Sequence, residues 1–158
     1  MDSFARTILL SAVPGVLVGL TTAYVSVRWA LRRFRAERWF DRKAEAYSSL
    51  FLALADIEHH CTVHLRQIEE GTKYDPAYLD RLGELARSGF AEVRKAAAMG
   101  EFLFGPESAK RLQKLERDIN EVSAERDIHD TLSNQYHAAS SALRDLRPLA
   151  KGDVAHPW

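Results

Sequence analysis

The chain begins with an uncharged, largely apolar run. Between Arg6 and Arg28 stand 21 residues, TILLSAVPGVLVGLTTAYVSV, without a charged side chain. As a helix that rises about 1.5 Å per residue, this run is about 30 Å long, the hydrocarbon thickness of a bilayer. A buried core helix is usually shorter and has one polar face, and a cleaved signal peptide carries its cations before the apolar run. The pattern therefore predicts a retained transmembrane helix.

A long amphipathic helix is expected to follow without interruption. From Leu20 to Glu70 the sequence contains neither Gly nor Pro, so the membrane helix should continue as a stalk. Apolar residues then recur at steps of three and four, the pattern of one buried helix face, and Gly71 should end the helix. The predicted face comprises Phe40, Ala44, Tyr47, Phe51, Leu54, Ile57, Cys61, Leu65 and Ile68.

Proline and glycine mark the bounds of three further helices. Asp75 is the predicted N-cap and Pro76 the first residue of the second helix, which should stop near Gly100. Pro106 should start the third helix, and Pro148 should end or kink the fourth. Their predicted buried residues are Tyr78, Leu82, Leu85, Ala86, Phe90 and Val93, then Leu112, Leu115, Ile119 and Val122, then Ile128, Leu132, Tyr136, Ala139, Leu143 and Leu146.

These elements predict an all-α fold, because no strand pattern competes with them. The expected architecture is an N-terminal transmembrane helix that continues into an antiparallel bundle of three or four helices. The expected divisions are a transmembrane anchor at residues 1–30, a basic juxtamembrane segment at 31–43, the helical bundle at 44–150 and a flexible tail at 151–158.

A net charge of zero conceals an uneven distribution. Residues 28–43, here called the basic collar, contain seven Lys/Arg and two Asp/Glu, a net charge of +5, whereas residues 44–158 contain 14 Lys/Arg and 19 Asp/Glu, a net charge of −5. Because cations resist translocation, the collar and all that follows should be cytoplasmic and the N-terminus outside. A local collar is not the footprint of a nucleic-acid-binding protein, which spreads over a binding face.

The end of the predicted span has the residues of a membrane interface. Aromatic side chains with a polar tip favour the headgroup level, and each cation near anionic lipid contributes about 1 kcal/mol to membrane attraction. The predicted interface residues are Tyr24, Arg28, Trp29, Arg32, Arg33 and Arg35.

Small residues recur every four positions within the span. Ser11, Gly15, Gly19 and Ala23 share one helix face, with GVLVG as a G-x-x-x-G core. Such a face allows a second helix backbone to approach closely, which predicts self-association or packing on a partner's span. Small residues are also common in membrane helices that form no interface.

Candidate chemistry is sparse. His60 and His64 are four residues apart and flank Cys61, but a closed zinc site needs further ligands, and the alternative is a small core cysteine between half-exposed histidines. No phosphate loop, nucleophile elbow, dinucleotide fingerprint or H-E-x-x-H signature is present. The sequence therefore predicts no metal, no cofactor and no enzymatic activity.

Trp39 and Phe40 form an aromatic pair beyond the predicted interface. One interpretation is a surface on which another protein or a lipid docks. The other is that the two rings close the membrane-facing end of the bundle core.

Three blocks of sequence resemble a family of small bacterial single-span membrane proteins. The blocks are FRAERWFDRKAEAYSSLFLALADI, RKAAAMGEFLFGPESAKRLQKL and RPLAKGDV, which span most of the part after the anchor. The family patterns are E-x-W-[WF]-x-x-K-x-x-A-Y and K-A-x-x-x-G-x-F-x-[IF]-[SG]. The matching residues are Glu37, Trp39, Phe40, Lys43, Ala46 and Tyr47, then Lys95, Ala96, Gly100, Phe102 and Phe104.

The resemblance implies a bacterial inner-membrane location and transfers no catalytic residue. Gly105 stands where Ser is usual in the family. Because Gly is a weaker N-cap than Ser, this departure weakens the expected cap of the third helix.

Together these observations predict a non-enzymatic, membrane-anchored helical interaction or scaffold protein that self-associates. Its expected partners are anionic lipid headgroups and either a second copy or another membrane or cytoplasmic protein. The alternative is an oligomeric membrane effector or pore component whose cytoplasmic bundle senses a signal. One span per chain and no charged pore lining argue against a constitutive channel.

Overall fold

The structure, a computed structural model, describes residues 2–120 and 127–155, with side chains from residue 18 to 154 within these ranges. It contains four helices and, in the described residues, no strand. The predicted all-α fold is confirmed, and the bundle has four helices rather than three. The helices are α1 (Asp2–Glu70), α2 (Pro76–Leu103), α3 (Pro106–Asn120) and α4 (Ile128–Ala155).

The chain divides into two compact units, Met1–Phe40 and Asp41–Trp158. Within the described residues, no helix contains a segment that is long and apolar enough to cross a membrane. The side chains of residues 7–17, the first half of the predicted span, lie outside the described part. The transmembrane part of the predicted fold therefore has no support from the structure and stays a prediction.

The second unit is an antiparallel four-helix bundle. Two contacts show that α1 and α2 run in opposite directions. The Tyr47 ring lies 4.9 Å from the Phe104 ring, whereas further along α1 the His59 imidazole lies 2.9 Å from the Tyr78 hydroxyl, near the start of α2. The same reversal holds for α4, which bonds to the start of the bundle part of α1 through Asp153 and to its end through His129.

The third helix completes the bundle between α2 and α4. Only two residues separate α2 from α3, which requires α3 to turn back along α2. An ion pair of 3.3 Å between Arg111 and Asp145 joins α3 to α4. The most deeply buried side chains come from all four helices and are Leu50, Leu54, Ile57, Cys61, Val93, Ser108, Leu112 and Leu146.

Helix bounds follow the local signals in the sequence. Gly71, just after α1, has φ +65°, a conformation that favours glycine, and the Asp75 carboxylate accepts a hydrogen bond of 3.3 Å from the Ala77 N–H at the start of α2. Gly100 interrupts α2 with φ +42° and ψ −132°, and a final turn continues to Leu103. The predicted stop near Gly100 is therefore a break within the helix.

The sequence predicts that Pro148 ends or kinks α4, and the first of these alternatives is wrong. The helix does not end at Pro148 but continues to Ala155, so it includes residues 151–155 of the predicted flexible tail. The physical reason is tertiary, since Asp153 in this segment bonds to groups on α1 and α3. Residues 156–158 lie outside the described part.

The predicted buried faces are correct along the middle of the bundle and fail towards its ends. Leu54, Ile57 and Cys61 are buried as expected, and Leu50 and Ala53 join them although the predicted face omitted both. Val122 lies outside the described residues. The predicted core residues that are exposed instead are Phe40, Ile68, Tyr78, Leu85 and Ile128.

The helices α1 and α2 approach each other closely at Gly89. A Cβ atom added at Gly89 would lie 2.8 Å from the Ala53 carbonyl oxygen and 3.1 Å from Ile57 Cγ1. The Ala53 oxygen belongs to the backbone, so this contact cannot be relieved by a side-chain rotation. Gly83, on the same helix, would meet nothing within 4 Å.

We expect opposite effects of alanine at these two glycines. Gly83→Ala should raise the free energy of unfolding by up to about 1 kcal/mol, because alanine is the better helix former. Gly89→Ala gains the same propensity but should lose about 1–2 kcal/mol net, because it overpacks the contact of α1 with α2. Urea unfolding followed by circular dichroism measures both. Equal stabilisation by the two substitutions would contradict the close approach.

Candidate functional site

A single carboxylate joins three helices at one end of the bundle. Asp153, near the end of α4, accepts hydrogen bonds from the Gly105 N–H at 2.9 Å, from the Ser108 hydroxyl at 2.8 Å and from the Tyr47 hydroxyl. The hydroxyl oxygens of Tyr47 and Ser108 also lie 2.8 Å apart. The three donors come from the middle of α1, from the residue that precedes α3 and from the first turn of α3. The cluster therefore joins the last turns of α4 and the start of α3 to α1.

Asp153 supplies the cap that the sequence of α3 lacks. Gly105 precedes the first residue of α3 and has no side chain to accept a bond from the first turn. The Asp153 carboxylate instead accepts the N–H of Gly105 itself and the Ser108 hydroxyl in the first turn. Its negative charge is favourable beside the partial positive charge of a helix N-terminus. A Cβ atom at Gly105 would collide with this carboxylate. Gly105 therefore leaves the space that the Asp153 carboxylate occupies.

The protonation states suit a structural role. Burial raises the pKa of Asp153, but hydrogen bonds from Tyr47, Ser108 and the Gly105 N–H, together with the charge of Lys43, outweigh burial and lower it overall. Burial, and then the hydrogen bond to Asp153, raises the pKa of the Tyr47 hydroxyl. The cluster thus contains a stable carboxylate and a neutral phenol. Neither is poised to exchange a proton near neutral pH.

A cleft of about 700 Å³ lies beside this cluster, between α1 and α4. Its floor is mainly apolar, and two cations of α4, Arg147 and Lys151, stand at its edge. None of the described residues that line it is acidic. The remaining lining residues are Ala44, Tyr47, Ser48, Phe51, Pro148, Ala150 and Val154.

The metal candidates do not assemble into a closed site. The rings of His60 and His64 lie 4.4 Å apart in an edge-to-face arrangement, and burial, then the neighbouring His64, lowers the pKa of His60. Cys61 is fully buried, which raises the pKa of its thiol to about 11 and disfavours the thiolate that a metal requires. Within the described residues, no group of three or more His, Cys, Asp or Glu side chains is placed to hold a metal ion.

The predicted interface residues are exposed. Tyr24 is 64% and Trp29 73% exposed, and the Arg28 guanidinium bonds to the Tyr24 hydroxyl at 3.1 Å. Arg33 forms an ion pair of 2.8 Å with Glu37 one turn later. Arg32 and Arg35 are exposed as well.

The predicted small-residue face is described only in part. Ser11 and Gly15 lie outside the residues with described side chains, whereas Gly19 and Ala23 are exposed. A Cβ atom at Gly19 would meet nothing within 4 Å.

The two aromatic residues of the predicted partner surface differ in exposure. Trp39 is half-buried, and Phe40 is 42% exposed. Phe102, in the short turn of α2 after Gly100, is more exposed than either, at 77%.

Sequence reasoning missed the residues that organise this end of the bundle. Asp153 lies in the predicted tail, and Arg147 and Lys151 flank a proline that was expected to end or kink the helix. The available signal was the block RPLAKGDV, which carried part of the family resemblance and contains all three residues.

The chain has no recognisable relative in three comparisons. A search against protein-family models finds no match, and neither do searches of curated proteins and of solved structures. The family resemblance therefore stays a prediction.

We expect Asp153 to make the bundle sensitive to acid. Because the pKa of Asp153 is lowered in the folded state, its stabilisation is present above the unfolded pKa of about 3.9 and is lost as the pH falls through the folded pKa. Asp153→Asn should therefore be less stable than the wild type at neutral pH, and the difference should shrink in acid. Urea unfolding between about pH 7 and pH 3 measures it.

Asp145→Asn is the matched control on the same helix. It breaks only the exposed pair with Arg111, which is expected to contribute at most about 1 kcal/mol. A difference between Asp153→Asn and the wild type that does not change with pH would contradict an ionised Asp153 cap.

Proposed function

We propose that this chain is a non-enzymatic, membrane-anchored helical interaction or scaffold protein. The observation that carries the proposal is the exposure of α1 before the bundle, where every residue from 18 to 38 is exposed. The apolar side chains among them are 51–73% exposed and are Val18, Leu20, Tyr24, Val25, Val27, Trp29, Leu31 and Phe34.

The distribution of these side chains supports lipid contact. Val25, Val27 and Trp29 are two positions apart, so neighbouring members of this set point to opposite sides of the helix. A helix that packs against one protein surface needs only one apolar face, whereas a helix that is apolar on opposite sides is typical of a membrane segment. The uncharged run begins at residue 7, so it has the length of a span.

Polar groups in this segment are compatible with hydrocarbon. The hydroxyls of Thr21 and Thr22 donate to the Val18 carbonyl oxygen at 3.0 and 2.8 Å. A hydroxyl that is bonded within its own helix needs no water, which is the condition for polar side chains in a bilayer. The exposed arginines of the basic collar are then available to anionic headgroups.

The proposed orientation places the bundle in the cytoplasm and the N-terminus outside. The support is the distribution of cations, with Arg6 before the run and the +5 collar after it. The resemblance to bacterial single-span proteins supports the inner membrane as the proposed location.

The proposal of a binding function rests on the chemistry of the bundle. The polar cluster around Asp153 joins three helices, and Ser108 within it is 1% exposed and out of reach of a substrate. The apolar cleft between α1 and α4 and the exposed Phe102 are surfaces of the kind that partners cover.

The anchor is tested by extraction of membranes from cells that express the full chain. Alkaline carbonate should leave the protein in the membrane pellet, and neutral detergent should release it. Deletion of residues 1–30 should move the protein to the soluble fraction with its helical circular dichroism intact. Complete release of the full chain by carbonate would contradict the proposed anchor.

Self-association of the anchor is tested by leucines on the small-residue face. Gly15→Leu/Gly19→Leu should convert a discrete oligomer in detergent into a monomer, because close backbone approach is lost. Val13→Leu/Val17→Leu places the same residues on the other face and should leave the mass unchanged. A monomeric wild type by light scattering would remove this part of the proposal.

A further inference from the structure

The cleft between α1 and α4 has the chemistry of a binding site for an amphiphile. We propose that it binds one anionic phospholipid, with acyl chain on the apolar floor and phosphate between Arg147 and Lys151. Its volume of about 700 Å³ lies within the range of ligand pockets, about 300–1,000 Å³.

The floor suits an acyl chain. It is formed by two turns of each helix, residues 44–51 and 147–154, and is therefore about 10 Å long. Ala150 is buried, and Phe51 and Val154 are half-buried. An acyl chain would therefore cover apolar surface that the described part of the bundle leaves open to water.

The α1 side of the cleft is fixed before any ligand binds. Tyr47 is held by Ser108 and Asp153 through its hydroxyl and by Phe104 through its ring. Its ring also stacks with that of Phe51 at 6.1 Å. A ligand would therefore meet a preformed surface, which reduces the ordering cost of binding.

The edge of the cleft is complementary to an anion. Arg147 and Lys151 are four residues apart on α4, so their side chains share one helix face. Both are exposed, and neither forms an ion pair with a residue that the structure describes. In contrast, Arg111 on α3 is neutralised by Asp145. A phosphate accepts charge-assisted hydrogen bonds from arginine and lysine together.

A second, smaller cavity lacks this preference for an anion. It lies among α2, α3 and α4, has a volume of about 240 Å³, and is lined by Arg94 and Glu116 together. Because both a positive and a negative side chain line it, this cavity favours neither an anionic nor a cationic ligand. The choice of a phospholipid as the anionic ligand rests on the proposed membrane location. The preference of the cleft for an anionic amphiphile does not depend on that location.

The test is a titration of the full-length chain in neutral detergent with short-chain phosphatidylglycerol and, separately, with phosphatidylcholine of the same chain length. Methyl NMR signals of Ala44, Ala150 and Val154 report on the floor. Phosphatidylglycerol should shift these signals saturably and should bind at least about tenfold more tightly than phosphatidylcholine. The reason is that the phosphate charge of phosphatidylglycerol is not compensated by a cation of the headgroup and is free to pair with Arg147 and Lys151. Equal affinities, or no shift with either lipid, would overturn the proposal.

Variants locate the site. Arg147→Gln/Lys151→Gln should weaken the binding of phosphatidylglycerol about 10- to 30-fold. Ser48→Phe should block this binding, because the ring fills the cleft without a change in charge. Arg81→Gln/Arg87→Gln removes the same charge from α2 and should have no effect. Equal losses in the two double variants would indicate unspecific attraction and overturn the site.

A fatty acid is distinguished by its own titration. Hexanoate that binds as tightly as phosphatidylglycerol would overturn the phospholipid assignment, since it provides the chain and a single carboxylate only. All these titrations are made in detergent, so their failure is separate from failure of the anchor, which carbonate extraction tests.

Discussion

The architecture of the bundle depends on the carboxylate of Asp153, which lies on α4 and bonds to groups of two other helices. Asp153 reaches from α4 to the start of α3 and to Tyr47 on α1, and so fixes the end of the bundle at which three helices meet. It supplies the cap of α3, orders the last turns of α4 beyond Pro148 and holds one wall of the apolar cleft. Removal of the Asp153 carboxylate would therefore affect the start of α3, the end of α4 and the candidate binding cleft together.

Local features of the fold were predictable because their causes are local. Gly71 and the pair of Asp75 and Pro76 set helix bounds through backbone conformation and capping, which act within a few residues. The three- and four-residue spacing likewise identified the centre of the core, from Leu54 to Cys61. The spacing does not show where along a helix the neighbouring helices cease to cover its apolar face. Several predicted core residues towards the ends of the bundle are therefore exposed in the structure.

The candidate site was not predictable in this way because its parts are distant in sequence. Tyr47 and Asp153 are 106 positions apart, and no periodic pattern relates them. The same holds for the cleft, whose floor combines two helices that are adjacent only in the folded chain. The block RPLAKGDV was the visible sign in the sequence, since it contains Asp153 and both cations of the cleft. The contact that a Cβ atom at Gly105 would make with Asp153 appears only in the folded chain.

The central claim is that the segment of α1 before the bundle lies in lipid. Its most direct test is a spin-label scan from Val18 to Phe34 in a Cys61→Ala background, reconstituted into vesicles. We predict that labels at 18, 20, 25 and 27 are accessible to oxygen and protected from a polar nickel reagent on both sides of the helix, and that this protection ends within the basic collar. Access of the nickel reagent to one or both sides of residues 18–27 would contradict a membrane-embedded helix.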